Sequence, residues 1–189
     1  MAAGLLNRDI GGKSVFPYQP EGLWKVNGAN YVQDMGKNLY RRSMYTIWKR
    51  SVHHPTLAIF DAPDHSVSVS KRQETNTPLQ ALALLNDPTF VEASRVLGEQ
   101  MVTYPEISRA VRETFRKLTG RNPNPKELEL LLDLRENEFR KFSLDSRKLK
   151  GWLSSGEYRI SPDLDAAQVA ANAVTASTII NLDAALTKR

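Results

Sequence analysis

Apolar residues recur at helical spacing through the rear of the chain, and that recurrence predicts most of its elements. Residues 78–86 carry Leu79, Leu82, Ala83 and Leu85, apolar nearly all round, which predicts a central helix. A second helix is expected to about residue 102, with Phe90, Ala93, Leu97 and Met101 on one face and Val96 beside it; Gly98 inside that run works against it. Residues 105–119 place Ile107, Ala110, Val111, Phe115 and Leu118 at helical spacing and stop at Gly120, a residue suited to a left-handed cap. Further helices are predicted over 125–142 on Leu128, Leu131, Leu132, Phe139 and Phe142, over 146–155, and from Asp165 to about Leu186. Thr77-Pro78, Asp87-Pro88 and Asn124-Pro125 share one starting device: a side chain that caps, then a proline whose missing N–H would have had no partner anyway. Thr77 with Gln80 and Asn124 with Glu127 have the spacing of a capping box.

The front of the chain has another texture. Residues 1–39 are punctuated by Gly4, Gly11, Gly12, Pro17, Pro20, Gly22, Gly28 and Gly36, which predicts turns and an extended strap. "YRRSMYTIWKR" fits a helix or a strand, with the aromatic and β-branched content favouring the strand. "SVSVSK" alternates cleanly, so the two segments are expected to pair as a small hairpin. The fold class expected is mainly α: a bundle of five or six helices over 40–189, with an irregular strap over 1–39 and a small β-hairpin.

At 189 residues, with 41% hydrophobic and 25% charged residues, the chain has the composition of a globular protein with one sizeable core. It has no cysteine, which excludes disulfides, thiolate metal sites, cysteine nucleophiles and c-type haem attachment within this chain. No apolar run reaches the roughly 18 residues of a membrane span, and the start does not read as an export signal.

The net charge is +5, and its distribution is more telling. Residues 40–72 hold six basic residues, Arg41, Arg42, Lys49, Arg50, Lys71 and Arg72, against Asp61 and Asp64, a net of +4 with histidine neutral. All three histidines, His53, His54 and His65, lie in the same stretch. Arginine interleaved with aromatics is the composition of a single-strand nucleic-acid groove, but no nucleic-acid motif accompanies it and none is expected as a partner. Histidine and carboxylate could hold a divalent metal, yet adjacent histidines seldom share one ion and no HExxH spacing occurs, so no metal site is assigned. In the plainest reading the arginines stack on rings, pair with carboxylates and tie the front together. Asp61 and Asp64 flank Pro63, where aspartate bonds nearby backbone N–H groups; they are also the candidates for acid and base in a hydrolase. Both facing an open pocket without arginine would favour catalysis, and buried bidentate Arg–Asp pairs would favour scaffolding.

"GLLNRDIGGKSVFPYQPEGLW", "LYRRSMYTIWKR", "TLAIFDAPD", "TNTPLQALALLNDPTFVEAS" and "IINLDAAL" resemble, in that order, the C-terminal domain of unknown function of planctomycete-type cytochrome c proteins. The resemblance implies the C-terminal portion of a longer, exported protein, periplasmic or at the cell surface. Upstream domains would be its partners, one of them carrying haem c, with an exported sulfatase-like protein as a neighbour. It implies no activity, and no cofactor in this chain. The function expected is a non-catalytic accessory or interaction module. Its anion-binding surface would be built by Arg41, Arg42, Lys49, Arg50, Asp61, Asp64 and Arg72, beside Asn76 and Gln80 at the capped helix start, with the aspartates holding the guanidinium forks. The alternatives are a polysaccharide hydrolase using Asp61 or Asp64, and nucleic-acid binding.

Overall fold

The computed structural model describes residues 1–25 and 30–187, the side chain of Ser146 excepted. Eight α-helices are present among them: α1 (Pro55–Ile59), α2 (Pro78–Asn86), α3 (Pro88–Val102), α4 (Ile107–Thr119), α5 (Pro125–Leu144), α6 (Ser146–Leu153), α7 (Ala166–Ile180) and α8 (Asp183–Leu186). Six have eight residues or more, and α1 and α8 are single turns. The chain is mainly helical, and its contacts divide it into two units: Leu5–Ala83, and Met1–Gly4 together with Leu84–Arg189.

The helix starts form by local chemistry. Asp87 caps α3 by accepting the Thr89 N–H at 2.9 Å, Asp145 caps α6 through Arg147 and Lys148, and Asp165 caps α7 through Ala167 and Gln168. Asn124 and Glu127 complete the reciprocal box on α5, each accepting the other's backbone N–H at 2.8 Å. Gly120 ends α4 at φ 79°, a conformation that a side chain would disfavour.

In the larger unit α7 is the central helix, touching α3, α4, α5, α6 and α8. Val169, Ala170, Ala171, Ala173, Ala176 and Ile179 are wholly buried. Their small size lets α3 come so near that a Cβ built on Gly98 would lie 2.7 Å from the Val169 carbonyl oxygen. Gly98 therefore does not weaken α3; it is what this helix crossing requires. Asn172 of α7 donates to the Gly98 carbonyl at 3.3 Å and accepts from Arg135 Nε of α5 at 3.1 Å, linking three helices through one amide. One apolar cluster gathers Met101, Ala110, Val111, Phe115, Leu131 and Ile179, and another packs Phe142, Ala170 and Ala171 with Phe139, Leu149 and Trp152.

The smaller unit has little regular structure. Asn7 bridges Arg41 and Val15 bridges Thr46, both parallel and both isolated, with 3₁₀ turns at Gly36–Asn38 and Ser43–Tyr45. Phe16, Trp24 and Tyr31 meet edge to face with centroids 5.1–5.8 Å apart, and burial together with the charge of Asp34 raises the Tyr31 phenol's pKa.

Three expectations need correction, and one short helix was not anticipated. The hairpin is absent: residues 40–50 spend their backbone on the bridges and a 3₁₀ turn, leaving no edge for "SVSVSK", whose Val67 and Val69 stand exposed in a loop. Helix α2 is not apolar on a buried circumference, because Gln80 and Leu84 are buried while Leu79, Leu82 and Leu85 face outward. The last helix breaks at Asn181–Leu182 and restarts as α8. Finally α1, begun by Pro55 after His54, is too short to show a periodicity.

Candidate functional site

The cationic residues of 40–72 are mostly engaged, and largely by backbone carbonyls and rings. Arg41 donates to the carbonyls of Asp9 at 3.1 Å, Lys13 at 3.2 Å and Gly11, and its guanidinium lies 3.7 Å from the centre of the Tyr45 ring. It gathers a glycine-rich loop that has few side chains to anchor it. Arg42 stands 5.7 Å from the same ring. The Tyr45 hydroxyl, held by the Gly11 N–H at 3.0 Å and by Arg42, is more acidic than a free phenol. The Lys49 ammonium sits 4.5 Å over Trp24, and Arg50 is exposed.

A second group surrounds the start of α2. Asp61, in left-handed backbone at φ 59°, accepts the Thr75 N–H and hydroxyl, both at 2.9 Å. Arg72 donates to the carbonyls of Asp61 at 3.1 Å and Phe60 at 2.8 Å, so it meets Asp61's backbone and not its carboxylate. Gln80, 4% exposed, exchanges capping bonds with Thr77, and its amide also reaches the Ile59 carbonyl and the Thr75 hydroxyl at 2.9 Å. Asn76 is exposed beside this knot. "TNTPLQ" is thus a helix start bolted to the end of α1 through Asp61 and Gln80.

Asp64 belongs to its own turn, accepting the Ser66 N–H at 2.9 Å and hydroxyl at 2.7 Å. The Thr75 N–H and hydroxyl hold Asp61 below the usual carboxylate range, and Ser66, aided by His53 and His65, does the same for Asp64. Both are therefore ionised at neutral pH, the wrong state for a general acid. Two clefts, of about 300 Å³ and 380 Å³, are lined by Leu5, Asn7, Asp9, Gly36, Lys37 and Tyr40 and by Leu149, Lys150, Leu153 and Ser154; neither contains either aspartate. Among the described residues neither aspartate makes a bidentate pair with arginine.

The histidines part company. His54 Nε2 lies 2.8 Å from the Tyr18 carbonyl oxygen, whereas His53 and His65 stack on Trp48. Among the described residues no group of three or more His, Asp or Glu is placed to hold a metal ion, and no helix is long and apolar enough to cross a membrane.

Four buried donors in residues 41–49 have no hydrogen-bond acceptor among the described residues: Arg41 Nε, Arg42 Nε, Trp48 Nε1 and Lys49 Nζ. That one-sided demand for acceptors was invisible in the sequence, which shows charge but not partners.

The sequence also concealed a charged face inside the larger unit. Glu92 and Arg95 of α3 are 0% and 1% exposed, and Glu99 lies one turn further on. Arg95 stands 3.9 Å from Glu92 and 3.7 Å from Glu99, and donates to the Tyr158 carbonyl. Glu92 accepts the Tyr158 N–H at 2.6 Å, and Glu99 accepts the Ser161 N–H while burial raises its pKa. These side chains, at i, i+3 and i+7, hold residues 156–161 chiefly by their main chain, with the Arg95 guanidinium also 5.9 Å from the centre of the Tyr158 ring. Gly156, at φ 83°, leaves the space in which the Glu92 carboxylate lies.

Residues 1–135 match the family described as PSD1, protein of unknown function (DUF1553). No curated protein matches the chain. Neither does any solved structure.

Proposed function

We propose that this chain, which belongs to the PSD1 family of proteins of unknown function, is a non-catalytic interaction module that takes an anionic ligand or partner face on residues 41–50. The observation that carries the reading is the run of buried donors without acceptors at Arg41, Arg42, Trp48 and Lys49. A buried donor left unpaired costs about 1–3 kcal/mol, and a sulfate, phosphate or carboxylate oxygen relieves that cost while meeting positive charge. Arg50, exposed beside the run, adds attraction at longer range. The turn-bound aspartates support the non-catalytic half of the reading, since both Asp61 oxygens accept from Thr75 and one Asp64 oxygen accepts twice from Ser66. Following the resemblance of its motifs, we assign the module to an exported protein of the cytochrome-c-associated kind, periplasmic or at the cell surface, with haem c carried upstream.

Calorimetric titration with sodium sulfate and with a sulfated disaccharide tests this. The intact chain should bind at least one of them saturably, and Lys49→Met with Arg50→Ala should weaken binding about tenfold or more, the value of a charge-assisted hydrogen bond. Arg41→Ala is the wrong probe, because it also frees the 9–13 loop. Unchanged affinity in the folded double variant would overturn the assignment.

A further inference from the structure

We infer that Trp48, His53, His65 and Asp64 form a pH-sensitive pin that holds the 61–66 turn against Trp48 and strengthens the neighbouring donor run when the solution is acidified. Only the coupling to anion binding rests on the function proposed above; the pin stands on its own geometry.

The His53 ring lies 4.8 Å from Trp48 at 28° between planes, and the His65 ring 4.3 Å away at 25°. Two imidazoles from separate segments therefore stack on one indole. His65 holds a left-handed φ of 62°, uncommon for a residue with a Cβ, so the turn accepts backbone strain while its ring makes that contact. Asp64 precedes it, and the charge of Asp64 acts on both imidazoles. Of the other charged groups near this stretch, Lys49 lies over Trp24, Arg72 is on the carbonyls of Phe60 and Asp61, Lys71 is 3.7 Å from Glu74, and Arg50 is exposed. His54, next in the chain, is turned to the Tyr18 carbonyl.

Imidazole takes up a proton in the range pH 5–8. Neutral rings on Trp48 contribute dispersion alone, whereas imidazolium adds attraction to the indole face and to ionised Asp64. Each proton taken from solvent also adds one positive charge on a ring stacked against Trp48, whose Nε1 belongs to the donor run. Acidification thus tightens the turn and raises the pull on an anion in the same step.

The test follows Trp48 emission from pH 8 to 5, taken as the difference between the wild-type chain and Trp48→Phe. It is repeated in His53→Gln with His65→Gln. The pin predicts a transition in the imidazole range that the double variant lacks; a flat profile, or one that survives both substitutions, overturns it. Should Trp48→Phe fail to fold, the indole N–H cross-peak of Trp48 in the wild-type chain, identified by its contacts with the two imidazoles, is followed over the same range and judged by the same criterion. Sulfate affinity at pH 5.5 and pH 8 measures the coupling. It should be about two- to fivefold higher at pH 5.5, a gain of the size expected for a cation–π contact, and the double variant should lose that ratio. An equal affinity at the two pH values in the wild-type chain overturns the coupling. No sulfate binding at either pH, with the emission transition intact, counts against the proposed function and leaves the pin standing.

Discussion

Gly98 and Gly151 are both helical, yet replacing each with alanine should move stability in opposite directions. Intrinsic preference favours alanine by about 0.8–1 kcal/mol in a helix interior. At Gly151 in α6 nothing lies within 4 Å of the added Cβ, so that preference should be felt nearly undiluted, as a gain of about 0.5–1 kcal/mol. At Gly98 the Cβ would meet the Val169 carbonyl oxygen at 2.7 Å, Ala173 N at 2.8 Å and Ala173 Cα at 3.1 Å. All three are backbone atoms, which cannot rotate aside. Helices α3 and α7 must then separate by about half an ångström or more, stretching the Asn172–Gly98 bond from 3.3 Å and loosening Leu97, Met101 and Val169. Overpacking of this kind costs about 3 kcal/mol at its upper end, which leaves a net loss of about 2 kcal/mol after the helix gain. Guanidinium chloride unfolding followed by circular dichroism at 222 nm would show the Gly98→Ala midpoint falling and the Gly151→Ala midpoint rising with unchanged slopes. If both variants gain stability, the close crossing of α3 and α7 is wrong.

Arg95→Met leaves the buried carboxylates of Glu92 and Glu99 without a counter-charge and should cost about 3–5 kcal/mol in the same assay, with hydrogen exchange accelerating first at residues 156–161. Glu127, which Arg121 and the Asn124 N–H hold down to about 2 from its usual 4.5, contributes stability that is complete above pH 4.5 and is lost as the pH falls towards 2. Glu127→Gln should therefore flatten the decline in stability over that window, as read from denaturation midpoints collected across it.

The helix starts were legible in the sequence because their chemistry spans three or four residues. Thr77-Gln80 and Asn124-Glu127 bond as their spacing implies, and Asp87 does so without help from tertiary structure. What escaped depends on distant partners. Glu92, Arg95 and Glu99 look like solvent-facing residues until residues 156–161 close over them, more than fifty positions later. "SVSVSK" has a strand's alternation, but alternation needs an edge to pair with, and residues 40–50 are folded into a 3₁₀ turn and isolated bridges. The outward leucines of α2 carry the same periodicity as buried ones, so pattern alone could not assign their side. At the candidate site the charge cluster was plain from composition. The acceptors chosen by Arg41 and Arg72 were not, because backbone carbonyls of Asp9, Lys13, Phe60 and Asp61 leave no mark in a list of side chains.

The central claim is that the buried donors of residues 41–49 await an acceptor from outside the chain. The most direct measurement is a ¹H–¹⁵N spectrum of the intact chain recorded through a sulfate titration, following the indole N–H of Trp48 and the Nε–H groups of Arg41 and Arg42. All three signals should move together along one saturable curve while the indole N–H signal of Trp152, packed in the helical unit, stays in place. Signals that stay still, or that drift linearly with salt along with the rest of the spectrum, would contradict the account.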